Sequence, residues 1–289
     1  MRFFYYVHTG HRIGLDRFHR AVAILNELQD LDITLLCSDF RIASDAKAYG
    51  IKRAVGVDLV RNIPQIAQHG DKIIFDSEEI NPTLLDDMTQ FFSTFIRISD
   101  NLDEVKHEKE FLISPYLWGE KIATGVVVHE RYLEQLPKTI PMALFFGDDD
   151  YEKDLEKYQE IFAPHKMELL MGYYHFMGYE KDLKESFSTV YESEEYDEVI
   201  RHTDVLISGS PMAVLENFAS GGRPIYLQRP DYTRDFIPLF EKMDISIMEG
   251  YDKDRLIEII SNQSSKSYQK HQRSNKEIIE FIRNTLTLV

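Results

Sequence analysis

Short apolar runs alternate with amphipathic helical stretches along the whole chain, and no other feature limits the fold as strongly. The runs that read as strands are 3–7, 33–37, 54–57, 72–75, 94–98 and 110–113, followed by 142–146, 167–171, 204–208, 224–227 and 245–248. They are nearly continuous in apolar residues, as strands covered on both faces are. The clearest helical stretch is 15–28, where Leu15, Phe18, Val22, Leu25 and Leu28 recur at spacings of three and four. Strands alternating with helices predict parallel sheets built from βαβ units, an α/β fold. Near 130–141 the polar segment HERYLEQLPKTIP, with two prolines, breaks the pattern before a fresh strand–turn–helix start. A chain of 289 residues is long enough for two domains. The pattern predicts two Rossmann-like domains, 1–138 and 139–289, with polar helices over about 264–287. Open α/β sheets bind ligands at the carboxyl ends of their strands, so a ligand cleft between the paired domains is expected.

The formal net charge is −16, and no dense Lys/Arg run relieves it, so neither nucleic acid nor an anionic membrane is an expected partner. No apolar stretch approaches the roughly 20 residues that span a bilayer. The opening MRFFYYVHTGHR lacks a signal peptide's apolar region, and the expected location is cytoplasmic. The single cysteine, Cys37, lies within an apolar run and reads as a buried thiol.

Several turns carry residues suited to chemistry. The first strand leads into HTGHRIGLDRFHRA, which gathers His8, His11, Arg12, Arg17, His19 and Arg20 around Gly10 and Gly14. Basic side chains, flexible glycines and a following helix N-terminus suit an anion, and a histidine there is a candidate base. A plain solvated helix start, with Asp16 at its positive end, is the other reading. Further on, HTDVLISGSPMAVLENFASGGRPIYL runs from a strand into the turn Ser208, Gly209, Ser210. Pro211 suits the first helical position, and Gly221 or Gly222 suits a left-handed helix end. Free N–H groups at this turn suit a phosphate or ribose oxygen. Glu216 shares a helical face with Met212 and could accept from ribose hydroxyls, or be an exposed surface glutamate. The second domain opens with FFGDDDYEKDL, where Gly147 precedes Asp148, Asp149 and Asp150. A helix cap is the first expectation for these acids, and no metal is assigned to them. FDSEEINP reads as a loop capped by Asn81 before Pro82. Trp118 and the aromatic group Tyr173, Tyr174, His175, Phe176 and Tyr179 read as packing or cleft-lining residues.

The combination resembles the two-domain glycosyltransferases of the MurG type, and more narrowly the PseG family of nucleotide-sugar hydrolases. The resemblance covers most of the chain. It is carried by IGLDRFHRAVAILNEL, KIIFDSEEI, FIRISDN, MALFFGDDDYEKDL and, most specifically, TDVLISGSPMAVLENFASGGRPIYL. It implies the GT-B fold, UDP-type nucleotide binding by the second domain, and acceptor or sugar handling by the first. Aligned on the family's first loop, Gly14 and Arg20 are kept, Asp16 replaces its second glycine, and Arg17 replaces its histidine. Gly147-Asp148-Asp149 stands in place of its glycine-serine turn.

The expected function is transfer from a nucleotide-activated sugar, of the UDP class by resemblance, to a glycan or other hydroxyl acceptor, with no cofactor. Gly14, Gly147, Ser208, Gly209, Ser210, Met212, Glu216 and Gly221 are the expected nucleotide-sugar residues. Arg17 and Arg20 are expected to offset the leaving diphosphate, and His11 or Asp16 to deprotonate the acceptor. A hydrolase of the PseG type and a non-catalytic binding protein are the alternatives.

Overall fold

The computed structural model describes residues 1–174, 183, 185–232, 234–263 and 274–288. His175, Phe176 and Tyr179, and the stretch 264–273, lie outside the described residues.

The chain separates into two compact units. The first comprises Met1–Gly10, Arg17–His129 and Arg273–Val289, and the second His11–Asp16 and Glu130–Gln272. This division departs from a single cut at 138/139 in three respects, the first being that the break falls between His129 and Glu130. Residues 11–16 cluster with the second unit, and the terminal helix clusters with the first.

In the first unit, β1 (Phe3–Val7), β2 (Ile33–Cys37), β3 (Ala54–Gly56), β4 (Lys72–Asp76), β5 (Thr94–Ile98), β6 (Phe111–Ser114) and β7 (Ile122–Thr124) form one sheet in the order β3-β2-β1-β4-β5-β6-β7. All its pairings are parallel, with Phe3 opposite Ile33 on one side and Lys72 on the other. The helix α1 (Asp16–Glu27) carries the apolar stripe read from the sequence, and Leu15, Phe18, Val22, Leu25 and Leu28 are all buried. Helices α2 (Phe40–Asp45), α3 (Ile63–Ile66) and α4 (Pro82–Phe91) follow, and Asn81 caps α4 by accepting from the Leu84 N–H. Cys37 is fully buried, and burial pushes its thiol up to about 12.

The second unit repeats the plan. Strands β8 (Ile140–Phe145), β9 (Glu168–Leu170), β10 (Val190–Tyr191), β11 (Thr203–Ser208), β12 (Ile225–Gln228) and β13 (Ser246–Glu249) lie in the order β10-β9-β8-β11-β12-β13, again parallel throughout. Among the described residues its α-helices are α5 (Asp154–Phe162), α6 (Tyr196–His202), α7 (Pro211–Ala219), α8 (Ile237–Lys242) and α9 (Lys253–Gln263). One core on this sheet joins Leu144, Val205, Ile207, Ile225 and Leu227 to Phe162, Leu256 and Ile259. A second core places Phe145, Leu170 and Leu206 against Tyr196, Val199 and Ala213. The helix α10 (Ser274–Thr287) closes the first unit, with Ile278, Ile282 and Leu286 buried.

The short strands β7 and β10 have no counterpart among the sequence-derived runs. Three and two residues long respectively, they offer too little apolar alternation to register as strands.

Candidate functional site

In the second sheet the chain leaves β8 toward β9 on one side, whereas β11 leads to β12 on the other. The crevice outside the carboxyl ends of two such strands is where open α/β sheets receive ligands. Here it is built from the turns after Phe145 and Ser208, whose strands pair with Ser208 opposite Phe145.

The second turn is set by its own residues. Ser210 N–H donates to Ser208 Oγ at 3.0 Å, and Ser210 Oγ accepts from the Ala213 N–H at 3.0 Å as the N-cap of α7. Pro211 occupies the first turn, and Gly221, at φ +84°, follows the helix in the left-handed conformation. Gly209 is required by a close approach, because a Cβ there would stand 2.5 Å from Phe146 O. Gly147 has φ +130°, a region that favours glycine, and a Cβ there would meet Asp149 Oδ1 at 2.7 Å. The result is two backbones lying side by side at the N-terminus of α7, whose positive end favours an anion.

The three consecutive aspartates have separate partners. Asp148 accepts from the Tyr173 N–H at 2.8 Å. Burial pushes its carboxyl up to about 7, with Asp16 and Asp149 adding to the rise and backbone hydrogen bonds from Tyr173 and Leu15 opposing it. Asp149 pairs with Arg229 at 2.6 Å. Asp150 accepts from the Asp154 N–H at 2.7 Å and the Leu155 N–H at 3.2 Å, so it is the residue that caps α5, as expected of this turn.

Arg229 escaped the sequence reading. It is 1% exposed, pairs also with Asp231, and lies 4.8 Å from the ring centre of Phe146 and 4.7 Å from that of Tyr232. Its only sequence signal is its place directly after a strand, with an acid two residues on.

Glu216 is neither the exposed glutamate nor the open ribose acceptor read from the sequence. It is 1% exposed, and Tyr196 OH donates to its Oε2 at 2.7 Å. Burial holds its carboxyl well above the usual range, against the Tyr196 hydrogen bond, and Asp197 and Asp16 raise it further. The correction follows from α7, where every residue from Pro211 to Phe218 is buried. On a helix covered on all sides no face is left to point Glu216 or Met212 at solvent.

The basic loop resolves into two parts. His11 rests on Tyr174 with ring centres 4.6 Å apart, and Asp16 accepts from Ser210 Oγ at 2.5 Å, both within the second unit. The position of a Cβ on Gly14 falls 3.5 Å from Asp149 Cβ.

Arg17 and Arg20 belong to the first unit, at the carboxyl end of its own central strands. Arg20 grips Asp76 through Nε at 2.9 Å and Nη2 at 2.7 Å, and Asp100 through Nη1 at 2.7 Å. Arg17 pairs with Glu78 and lies 3.6 Å from Asp76. Tyr5 OH donates to Asp76 at 3.0 Å, and Asp76 is fully buried. The guanidiniums expected to meet a diphosphate are therefore engaged by carboxylates, because a fully buried Asp76 needs compensating charge.

No protein-family model and no curated protein matches the chain. Solved structures do. The UDP-GlcNAc 2-epimerase of Methanocaldococcus jannaschii, in complex with UDP-GlcNAc and UDP, is 10% identical, with 98% of this chain and 99% of that one covered at a TM-score of 0.64. The S. aureus MnaA–UDP co-structure is 9% identical, with 100% and 98% covered and a TM-score of 0.64. A glycosyltransferase from Rickettsia africae ESF-5 is 12% identical, with 99% and 93% covered and a TM-score of 0.54. Among the described residues, no helix is long and apolar enough to cross a membrane. With two parallel sheets in Rossmann-like strand order and likeness to these proteins over nearly its full length, the chain has the GT-B fold.

Proposed function

We propose that the protein is a glycosyltransferase that holds a UDP-type nucleotide sugar on its second unit and passes the sugar to a hydroxyl acceptor, a glycan or another. The observation that carries this reading is the pair of turns at the ends of β8 and β11. There Gly147 and Gly209 bring two backbones together beside the Ser210-capped start of α7. Gly14, Gly147, Ser208, Gly209 and Ser210 take the phosphates in this reading, while Met212, Glu216 and Gly221 shape the helix that supports them. Arg229 is held beside these turns by Asp149 and Asp231, and burial raises the Asp148 carboxyl to about 7, so that it is partly neutral near pH 7 rather than a full repelling anion. In the transfer step the acceptor oxygen bonds to the anomeric carbon, the bond from that carbon to the diphosphate breaks, and UDP departs. The acceptor's proton goes to a base, for which His11 and Asp16 are the candidates. The two neighbours solved with UDP support the choice of nucleotide.

Calorimetric titration of UDP and UDP-sugars into the full chain tests the reading. Saturable binding is expected, and Gly209→Ala should weaken it at least tenfold, since the new Cβ must displace Phe146 O. No heat at millimolar ligand would refute the proposal. Free sugar released from a UDP-sugar without acceptor would redirect it to hydrolysis.

A second reading, nucleotide-sugar binding without turnover, is favoured by one observation. Arg17 and Arg20 are neutralised by Asp76, Glu78 and Asp100. UDP binding with neither transfer nor hydrolysis would select it.

A further inference from the structure

The segment His11–Asp16 is tied to the second unit along its length. The His11 ring lies 4.6 Å from that of Tyr174, and the Arg12 guanidinium lies 4.2 Å from the ring centre of Tyr151. Gly14 lies against Asp149, and the Leu15 N–H hydrogen-bonds to Asp148. Asp16 ends the series by accepting from Ser210 Oγ at 2.5 Å.

That last contact has a chemical consequence. Ser210 is the N-cap of α7, so its hydroxyl marks the helix's positive end. A carboxylate bonded to that hydroxyl takes the place an incoming anion would prefer. A phosphate oxygen arriving at Ser210 meets the Asp16 carboxylate already there, and two like charges at one donor exclude each other.

We propose that residues 11–16 form an autoinhibitory strap, and that the Asp16 carboxylate is an internal stand-in for a phosphate. A nucleoside diphosphate binds by lifting Asp16 from Ser210. The strap rests on the nucleotide-sugar reading of the same site and adds a regulation to it.

The test compares UDP affinity by calorimetry for the full-length protein, Asp16→Asn and Asp16→Ala, with hydrogen exchange of the strap amides before and after UDP. Asp16→Ala should bind UDP at least tenfold more tightly than the unaltered chain. Asp16→Asn, which keeps the shape and loses the charge, should show a smaller gain. In the unaltered protein UDP should speed exchange of the amides of residues 12–16. Thermal melts establish that each variant is folded, and if Asp16→Ala is not, Asp16→Asn carries the comparison. Binding by the unaltered chain with no gain in either variant, or UDP that leaves the strap amides as protected as before, overturns the strap alone. No UDP binding by any of the three proteins overturns the nucleotide-sugar reading, and the strap with it.

Discussion

Asp148 has lost most of its hydration, and its neighbours Asp16 and Asp149 make its ionised form less welcome still. The sign of the resulting pH dependence is opposite to that of a salt-bridged aspartate. Its folded value, about 7, stands above the ordinary 3.8, so its stabilising contribution is complete below the unfolded value and is lost as pH rises through 7. Asp148→Asn keeps an acceptor for the Tyr173 N–H and cannot ionise. It should raise stability at pH 8 by up to about 4 kcal/mol, and change it little at pH 4. Melting curves from pH 4 to 8 check this, and a variant whose Tm runs parallel to the parent's across that range would contradict it. At this scale the sequence was legible where a residue's role depends on its immediate neighbours. Asn81, Asp150, Ser210 and Gly221 follow local hydrogen-bond and backbone rules and stand where those rules put them. The partners of Arg17, Arg20 and Glu216 lie 20 to 80 positions away, beyond the reach of such local rules.

Among the elements, α10 shows how a buried charge can hold a helix. Lys72 begins β4 and is 3% exposed, and its Nζ donates to Leu286 O at 2.8 Å in the last turn of α10. A cation at a helix's carboxyl end satisfies an orphan carbonyl and complements the helix dipole. Lys72→Met should destabilise the first unit by about 1–3 kcal/mol through unsatisfied carbonyls. The loss should appear first as faster hydrogen exchange in 274–287 than in α1, and equal acceleration in the two helices would contradict it. From sequence, 72–75 registered as an apolar strand opening on a lysine. The helix that takes up the charge lies more than 200 positions on. The amphipathic stripe of α1 was legible because its period is local, whereas the burial of α7 on every side depends on what covers it.

For the whole molecule, the chain order and the spatial units differ. The first unit is completed by α10, whose Phe281 meets Phe111 of β6 with ring centres 6.1 Å apart. A fragment 1–138, cut where the sequence suggests, lacks that cover. It should expose apolar surface, bind a hydrophobic dye and melt non-cooperatively, while 130–272, whose sheet and helices are contiguous in the chain, should retain a cooperative transition. Circular dichroism melts of the two fragments decide this, and cooperative unfolding of 1–138 would contradict it. The sequence by itself determined the α/β class, the parallel strands and the turns that end them, because these follow from apolar periodicity and short-range backbone chemistry. Tertiary structure alone decided which charges neutralise one another, that Asp16 reaches Ser210, and that Arg229 stands behind Asp149. Such pairings depend on distances in space between groups far apart in the chain, and neither composition nor spacing encodes those distances.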